Sequence, residues 1–243
     1  ISDAGTTQLY LRDYDAAERL ADRALIVSPD APDALLVKGN ALLARTGDVA
    51  AATRVYFDAW ERSPDKAPRT AAALAWGWPF SVHPTMIEAI PALEWVPDFG
   101  ERASMMVSKA AFFRDRNDAS RARAYADTAI RLLTARIRER PGEAEFYSQR
   151  GLAHALVGNE RDAIADSDRA VALKPLSKDA LIGGDILISR AFTLAALGRH
   201  DEVIPVLEQL LAVPSILYPN VVRLHPQFAP LRANPRFQRL VGG

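Results

Sequence analysis

A spacing recurs along this chain. Gly158, Ala163, Ala170 and Pro175 are separated by steps of five, seven and five residues, and the same steps give Gly47, Ala52, Ala59 and Pro64, and Arg12, Ala17, Ala24 and Pro29. A weaker copy runs Asn117, Ala122, Ala129, and a degraded one Gly198, Val203, Leu210. Small residues returning at fixed offsets with a period of roughly 34 to 40 residues mean stacked helix pairs rather than one globular core. Two antiparallel helices approach closely only where their side chains are small.

The clearest pair spans Ala144 to Pro175. Helix A covers roughly 144–157, the turn is Gly158-Asn159, and helix B covers roughly 160–173. Tyr147, Gly151, His154 and Ala155 share one stripe of helix A at three- and four-residue steps, as Ala163, Ile164, Ser167 and Ala170 do in helix B. Gly151 and Ala163 are the expected contact pair, and Pro175 ends helix B because proline cannot continue the hydrogen-bond ladder. Gly39 takes the close-approach role in the second pair and Gly5 in the first.

Two stretches depart from the pattern. Residues 67–100 hold Trp76, Trp78 and Trp95 among five prolines and read as a divergent helix pair, roughly 69–76 and 84–96. The following pair has a long second helix, roughly 120–140. The last pair spans 179–213, with Ile182-Gly183-Gly184 read as an insert before its first helix and Pro205 placed in the first turn of its second. After residue 213 five prolines fall within 22 residues. A short helix at 216–224 and a last turn at 235–241 would cap the open apolar face of the final pair. The expected fold is all-α: an α-α solenoid of about six helix pairs over residues 1–213, with a proline-rich C-terminal cap over 214–243.

Composition narrows the function classes. Lys+Arg and Asp+Glu balance at 30 each, so no global field draws the chain to nucleic acid or an anionic membrane. There is no Cys, which excludes a disulfide scaffold, a thiolate zinc site and a Cys nucleophile. No apolar run approaches the ~20 residues that cross a bilayer. The start, Ile1-Ser2-Asp3, has neither an initiator Met nor a signal-peptide pattern and reads as a fragment of a longer protein or a processed form.

The helix-pair pattern resembles the tetratricopeptide repeat, carried by Gly151, Gly158, Ala163, Ala170 and Pro175 and the weaker copies. The runs Leu132-Leu133-Thr134-Ala135-Arg136 and Leu176-Ser177-Lys178-Asp179-Ala180-Leu181 point to a narrower group, as does the tail Leu224-His225-Pro226-Gln227-Phe228-Ala229-Pro230-Leu231-Arg232. They are similar to the C-terminal tetratricopeptide regions of bacterial signalling proteins that carry a serine/threonine kinase, an adenylate cyclase or a winged-helix regulator. That group usually has Asp before each of the two tail prolines, where this chain has His225 and Ala229. The resemblance implies a non-catalytic interaction or sensory domain that binds a polypeptide or self-associates to regulate an attached output domain. The alternative is a free-standing scaffold or adaptor of an envelope or secretion assembly. The resemblance and the absence of Cys lean toward an extracytoplasmic placement.

Signals for chemistry are sparse. His83, His154, His200 and His225 stand in no metal-ligand spacing, so neither a metal nor a cofactor is expected. Gly183-Gly184 follows no strand and reads as a hinge or helix break, not a phosphate loop. Residues 114–140 carry eight Arg against four acids; a solvated face with internal ion pairs is the plain reading, an acidic partner's dock the sharper one. Trp60, Trp76, Trp78 and Trp95 are more often core than site, yet the stiff run Trp76-Gly77-Trp78-Pro79 marks Trp76 and Trp78 as a possible partner or dimer interface.

By analogy of fold, the partner-binding surface is the inner groove. The A-helix residues one step past each close-approach position point there: Asn40, Ala111, Leu152 and Phe192. One turn earlier come Leu36, Val107, Ser148 and Ile188, and nearly one turn later Leu43 and Arg114. A peptide-carboxylate clamp is not expected, because Lys38 and Asn40 are two residues apart and do not share a helix face.

Overall fold

The computed structural model describes residues 2–66, 69–70, 72–73, 78, 82–83, 85–86 and 102–242. Regular structure among these residues is helical throughout. In chain order the helices are α1 (Ser2–Tyr10), α2 (Tyr14–Val27), α3 (Pro32–Thr46), α4 (Val49–Arg62), α5 (Arg102–Asp115), α6 (Ala119–Glu139), α7 (Ala144–Leu156), α8 (Glu160–Leu173), α9 (Ile182–Ala196), α10 (His200–Leu211) and α11 (Pro219–Leu224). A 3-10 turn, Pro226–Leu231, and α12 (Pro235–Leu240) close the chain. The chain divides into two compact units: Ile1–Gly100 with Tyr218–Leu224, and Glu101–Leu217 with His225–Gly243.

Both units follow the same rule. The helices of a pair pack on each other, and the first helix of a pair also meets the first helix of the next. This is the α-α solenoid arrangement that the repeated spacing predicts. Ala17, Ala21 and Ala24 on α2 and Ala163 and Ala170 on α8 are buried, so the small residues of the repeat are the contact surface. A Cβ on Gly151 would stand 3.0 Å from the Ala163 carbonyl oxygen, and one on Gly39 would stand 3.2 Å from that of Ala52. The close approach is therefore one of backbone on backbone.

The first residue of each repeated spacing has one conformational job. Arg12, Gly47, Asn117, Gly158 and Gly198 all have positive φ, from 59 to 78°. Each ends the first helix of its pair by turning left-handed, which reverses the chain within two residues. The next residue is the N-cap of the second helix. Asp13, Asp48 and Asp118 each accept the backbone N–H three residues on, from Ala16, Ala51 and Arg121.

In the first unit α4 fastens the chain that follows it. The Trp60 indole donates to Thr70 Oγ1 at 2.9 Å, and the Tyr56 hydroxyl donates to the Arg69 carbonyl at 2.7 Å. The expected helices at 69–76 and 84–96 lie mostly outside the described residues. In the second unit, α6 runs for 21 residues and buries Leu133 and Ile137 in its extra turns. The 3-10 turn packs on α9 and α12 on α10, with Phe228, Leu231 and Phe237 buried. Arg236 joins α12 to α10 through two short bonds to the Glu208 carboxylate, at 2.5 Å each.

Three local expectations are corrected. Gly183 and Gly184 do not precede a helix; both lie in the first turn of α9. Gly183 is there because a Cβ would come within 2.9 Å of the Leu176 backbone. Pro205 is the sixth residue of α10, beyond its first turn, and the carbonyl it leaves without a helical donor belongs to the solvent-exposed Asp201. The helix placed at 216–224 begins at Pro219, where proline suits a first helical position.

Candidate partner-binding surface

In the first unit the surface is built on α3. Its sequence puts Leu36 and Asn40 one turn apart on one face. With Leu43, Thr53, Tyr56, Ala73 and Val82 they line a small cleft of about 40 Å³. Beside it, the Asn40 side-chain oxygen accepts a 3.0 Å hydrogen bond from the hydroxyl of Tyr218. Tyr218 is 1% exposed. Tyr14 meets its ring edge-on at 5.8 Å and Trp78 does so at 6.5 Å, and the Trp78 side chain also hydrogen-bonds the phenol. Burial raises the phenol's pKa above its ordinary value, so it stays a neutral donor.

Tyr218 begins the segment that forms α11, which packs on α3. Asn220 Nδ2 donates to the Ala44 carbonyl at 2.8 Å, and Arg223 donates to Asn220 Oδ1 at 2.6 Å. Ala44 lies in the last turn of α3, where carbonyls lack helical donors and the helix dipole is negative, so an amide and a cation both suit the place. A Cβ on Gly47 would lie 2.7 Å from the Arg223 guanidinium. Val221 and Val222 are fully buried.

In the second unit the expected groove residues are largely occupied within the unit. Val107 and Ser148 are buried, and the Ser148 carbonyl accepts from Ser189 Oγ at 3.2 Å. Leu152 packs on the cluster of Ala110, Ala126 and Leu156. Arg114 donates to the carbonyls of Ala155 at 2.9 Å and Ala196 at 2.5 Å, which lie at the C-terminal ends of α7 and α9. Phe192 stacks on Phe228 at 5.1 Å and meets the His225 ring at 4.7 Å.

His225 stands where the similar tails carry Asp, and its Nδ1 accepts the Gln227 backbone N–H at 3.2 Å, capping the 3-10 turn as a carboxylate would. It is 2% exposed. Burial, with a lesser contribution from Arg232, pushes the imidazole down to about 3. Gln227 in turn donates to Asp115 Oδ1 at 3.1 Å.

Of the marked tryptophans, Trp78 is buried against Tyr218 and Trp76 lies outside the described residues. Several arginines of the 114–140 run have partners close by. Arg121 pairs with Asp118 and Arg136 with Glu139, while the guanidinium groups of Arg116 and Arg140 lie over Phe112 and Phe146. Lys38 pairs with Asp22 at 2.6 Å, while Asn40 faces Tyr218. Among the described residues no cluster of His, Cys or carboxylates could hold a metal, and no helix is long and apolar enough to cross a membrane.

Residues the sequence did not mark are Tyr218, Asn220, His225 and Phe228, which meet Asn40, Ala44 and Phe192. Their local pattern announced a short helix and a turn, but nothing local names partners up to 178 residues away.

Residues 2–68 match the tetratricopeptide repeat. The matched stretch contains α1 to α4, and so both Leu36 and Asn40, and it supports a tetratricopeptide domain there. A 54-residue stretch is 39% identical to the protein SGT1 homolog of Bos taurus; it covers 22% of this chain and spans 16% of that protein's length. The crystal structure of a thermophilic tetratricopeptide protein in Thermus thermophilus aligns over 99% of this chain and 97% of its own, at 22% identity and a TM-score of 0.39.

Proposed function

We propose that the chain is a non-catalytic protein-interaction or sensory domain that holds a polypeptide partner on the inner face of α3. The observation that carries this is the small cleft beside Leu36 and Asn40, two residues that lie within the stretch matching the tetratricopeptide repeat. A row of apolar and amide side chains beside a concavity suits a peptide, which offers both apolar side chains and backbone donors. The tail resemblance extends the proposal to a larger bacterial signalling protein in which partner binding, or self-association into a homodimer, biases an attached output domain.

Photo-crosslinking tests the surface. With p-benzoylphenylalanine in place of Leu36, irradiation in the native host yields a covalent adduct with a polypeptide; the same probe in place of the exposed Arg19 does not. Equal adducts from both positions, or none from Leu36, would sink the assignment. Fractionating the host and blotting for this domain tests the larger context. A membrane-bound band far above 26.6 kDa supports the signalling protein. A soluble band near that mass favours a free-standing adaptor.

A further inference from the structure

We infer that the segment Tyr218–Leu224 is an internal ligand of the α3 surface, and that the partner is a peptide of the same chemistry. This rests on the reading of α3 as the partner-binding face. The segment is seated as a recognised peptide is. One aromatic residue is buried with its single polar atom satisfied, an amide caps a carbonyl of the receptor helix, two valines are fully buried, and an arginine lies at the negative end of that helix.

The recognition rule follows from these contacts. The partner presents a tyrosine, an Asn or Gln two residues on, apolar residues at the third and fourth places after the tyrosine, and an arginine at the fifth. Phenylalanine in place of the tyrosine leaves the Asn40 oxygen and the Trp78 side chain facing an apolar edge, and buried polar groups without partners cost affinity steeply. A partner of this kind binds by displacing the internal segment. Because that segment is tethered, it competes at a high effective concentration and excludes weak ligands.

The test uses the full chain and a fluorescent synthetic peptide of residues 216–225. The double variant Asn220→Ala/Arg223→Ala loosens the internal segment at partly and fully exposed positions while leaving its core anchors intact. It should bind the free peptide roughly tenfold more tightly than the unaltered chain, since weakening the tethered competitor by about 1.4 kcal/mol is a tenfold change. Replacing the peptide's tyrosine by phenylalanine, which leaves the tethered segment untouched, should reverse most of that gain. Equal binding by the unaltered chain and the double variant, both showing full helical circular dichroism, would overturn the inference. So would binding that ignores the peptide's tyrosine hydroxyl.

Hydrogen exchange on the unaltered chain supplies a second readout that no folding defect can confuse. The amides of Val222–Leu224 should exchange through local opening well before those of Ala41–Leu43. Exchange as slow as that of α3 would mean a permanent part of the core and would refute a displaceable ligand. Dimers forming with concentration would show exchange of the segment between copies and refute its competition in cis. Crosslinking from position 36 is independent of all these outcomes, so a partner found there with no peptide displacement would retain the interaction surface and remove only the internal-ligand reading.

Discussion

Arg114 donates a guanidinium N–H to the carbonyl of Ala196, 82 residues further along the chain. Its other terminal nitrogen serves Ala155. One side chain thus reaches the C-terminal ends of two successive first helices, where the dipole is negative; the Ala155 carbonyl also accepts the Gly158 N–H at 3.0 Å. A planar fork suits two diverging acceptors better than a point charge does. Arg114→Met should destabilise the second unit by about 3 kcal/mol, since hydrogen bonds to charged groups contribute about 1.5–3 kcal/mol. Arg114→Lys should recover less than half. Urea unfolding followed by helical circular dichroism reads both, and full recovery by lysine would show that charge alone matters.

The turn positions separate conformational cost from steric cost. Nothing lies within 4 Å of a Cβ on Gly158, so Gly158→Ala isolates the left-handed penalty, about 1 kcal/mol. Gly151→Ala adds a collision with the α8 backbone and should cost about 2 kcal/mol or more. Asn117 has φ 59°, and Asn117→Gly should raise stability by about 0.5 kcal/mol. Thermal melts should place Asn117→Gly highest, Gly158→Ala below it and Gly151→Ala lowest; an unchanged Gly151→Ala would refute the contact.

His225 links stability to pH. Its folded pKa lies at about 3, below the ordinary value near 6.5, so the unfolded chain binds its proton first. The neutral ring's contribution is complete above about pH 6.5 and is lost as pH falls toward 3, at up to about 1.4 kcal/mol per pH unit. His225→Asn keeps an acceptor for the Gln227 N–H and removes the titration. The variant should start less stable at about pH 7.5, having lost the ring contacts with Phe192 and Phe228, yet lose less stability between about pH 7 and 5. Parallel pH slopes for both chains would exclude the histidine.

Arg150 holds Asp166 through two bonds of 2.7 and 2.8 Å and reaches Thr134 at 3.1 Å, joining α7 to both α6 and α8. The Asp166 side chain is nearly buried, so Asp166→Asn leaves a partly desolvated guanidinium with weaker acceptors and should cost about 2 kcal/mol. In a double-mutant cycle with Arg150→Met the two losses should be far from additive; additivity would mean the pair contributes nothing as a pair.

Helix pairs and turns were legible from the residues because their causes are local. The five-seven-five spacing marks where a left-handed residue must end one helix, where alanine must let the second helix approach, and where proline must stop it. The α8 bounds, Glu160–Leu173, follow directly, since a cap residue at Asn159 and Pro175 bracket them. Pro205 and Gly183 were misplaced because a helix start depends on a neighbour's backbone, in Gly183's case the chain at Leu176.

The architecture is written in the residues: which segments are helices, and which face of each is small enough to be packed. What the other first-helix residues meet is settled by the folded chain instead. Asn40 meets Tyr218, Phe192 meets Phe228, and Arg114 meets two helix ends. The difference is one of range. Helix periodicity repeats within four residues and leaves its mark in any short window, whereas a hydrogen bond across 178 residues depends on where the whole chain has carried its tail.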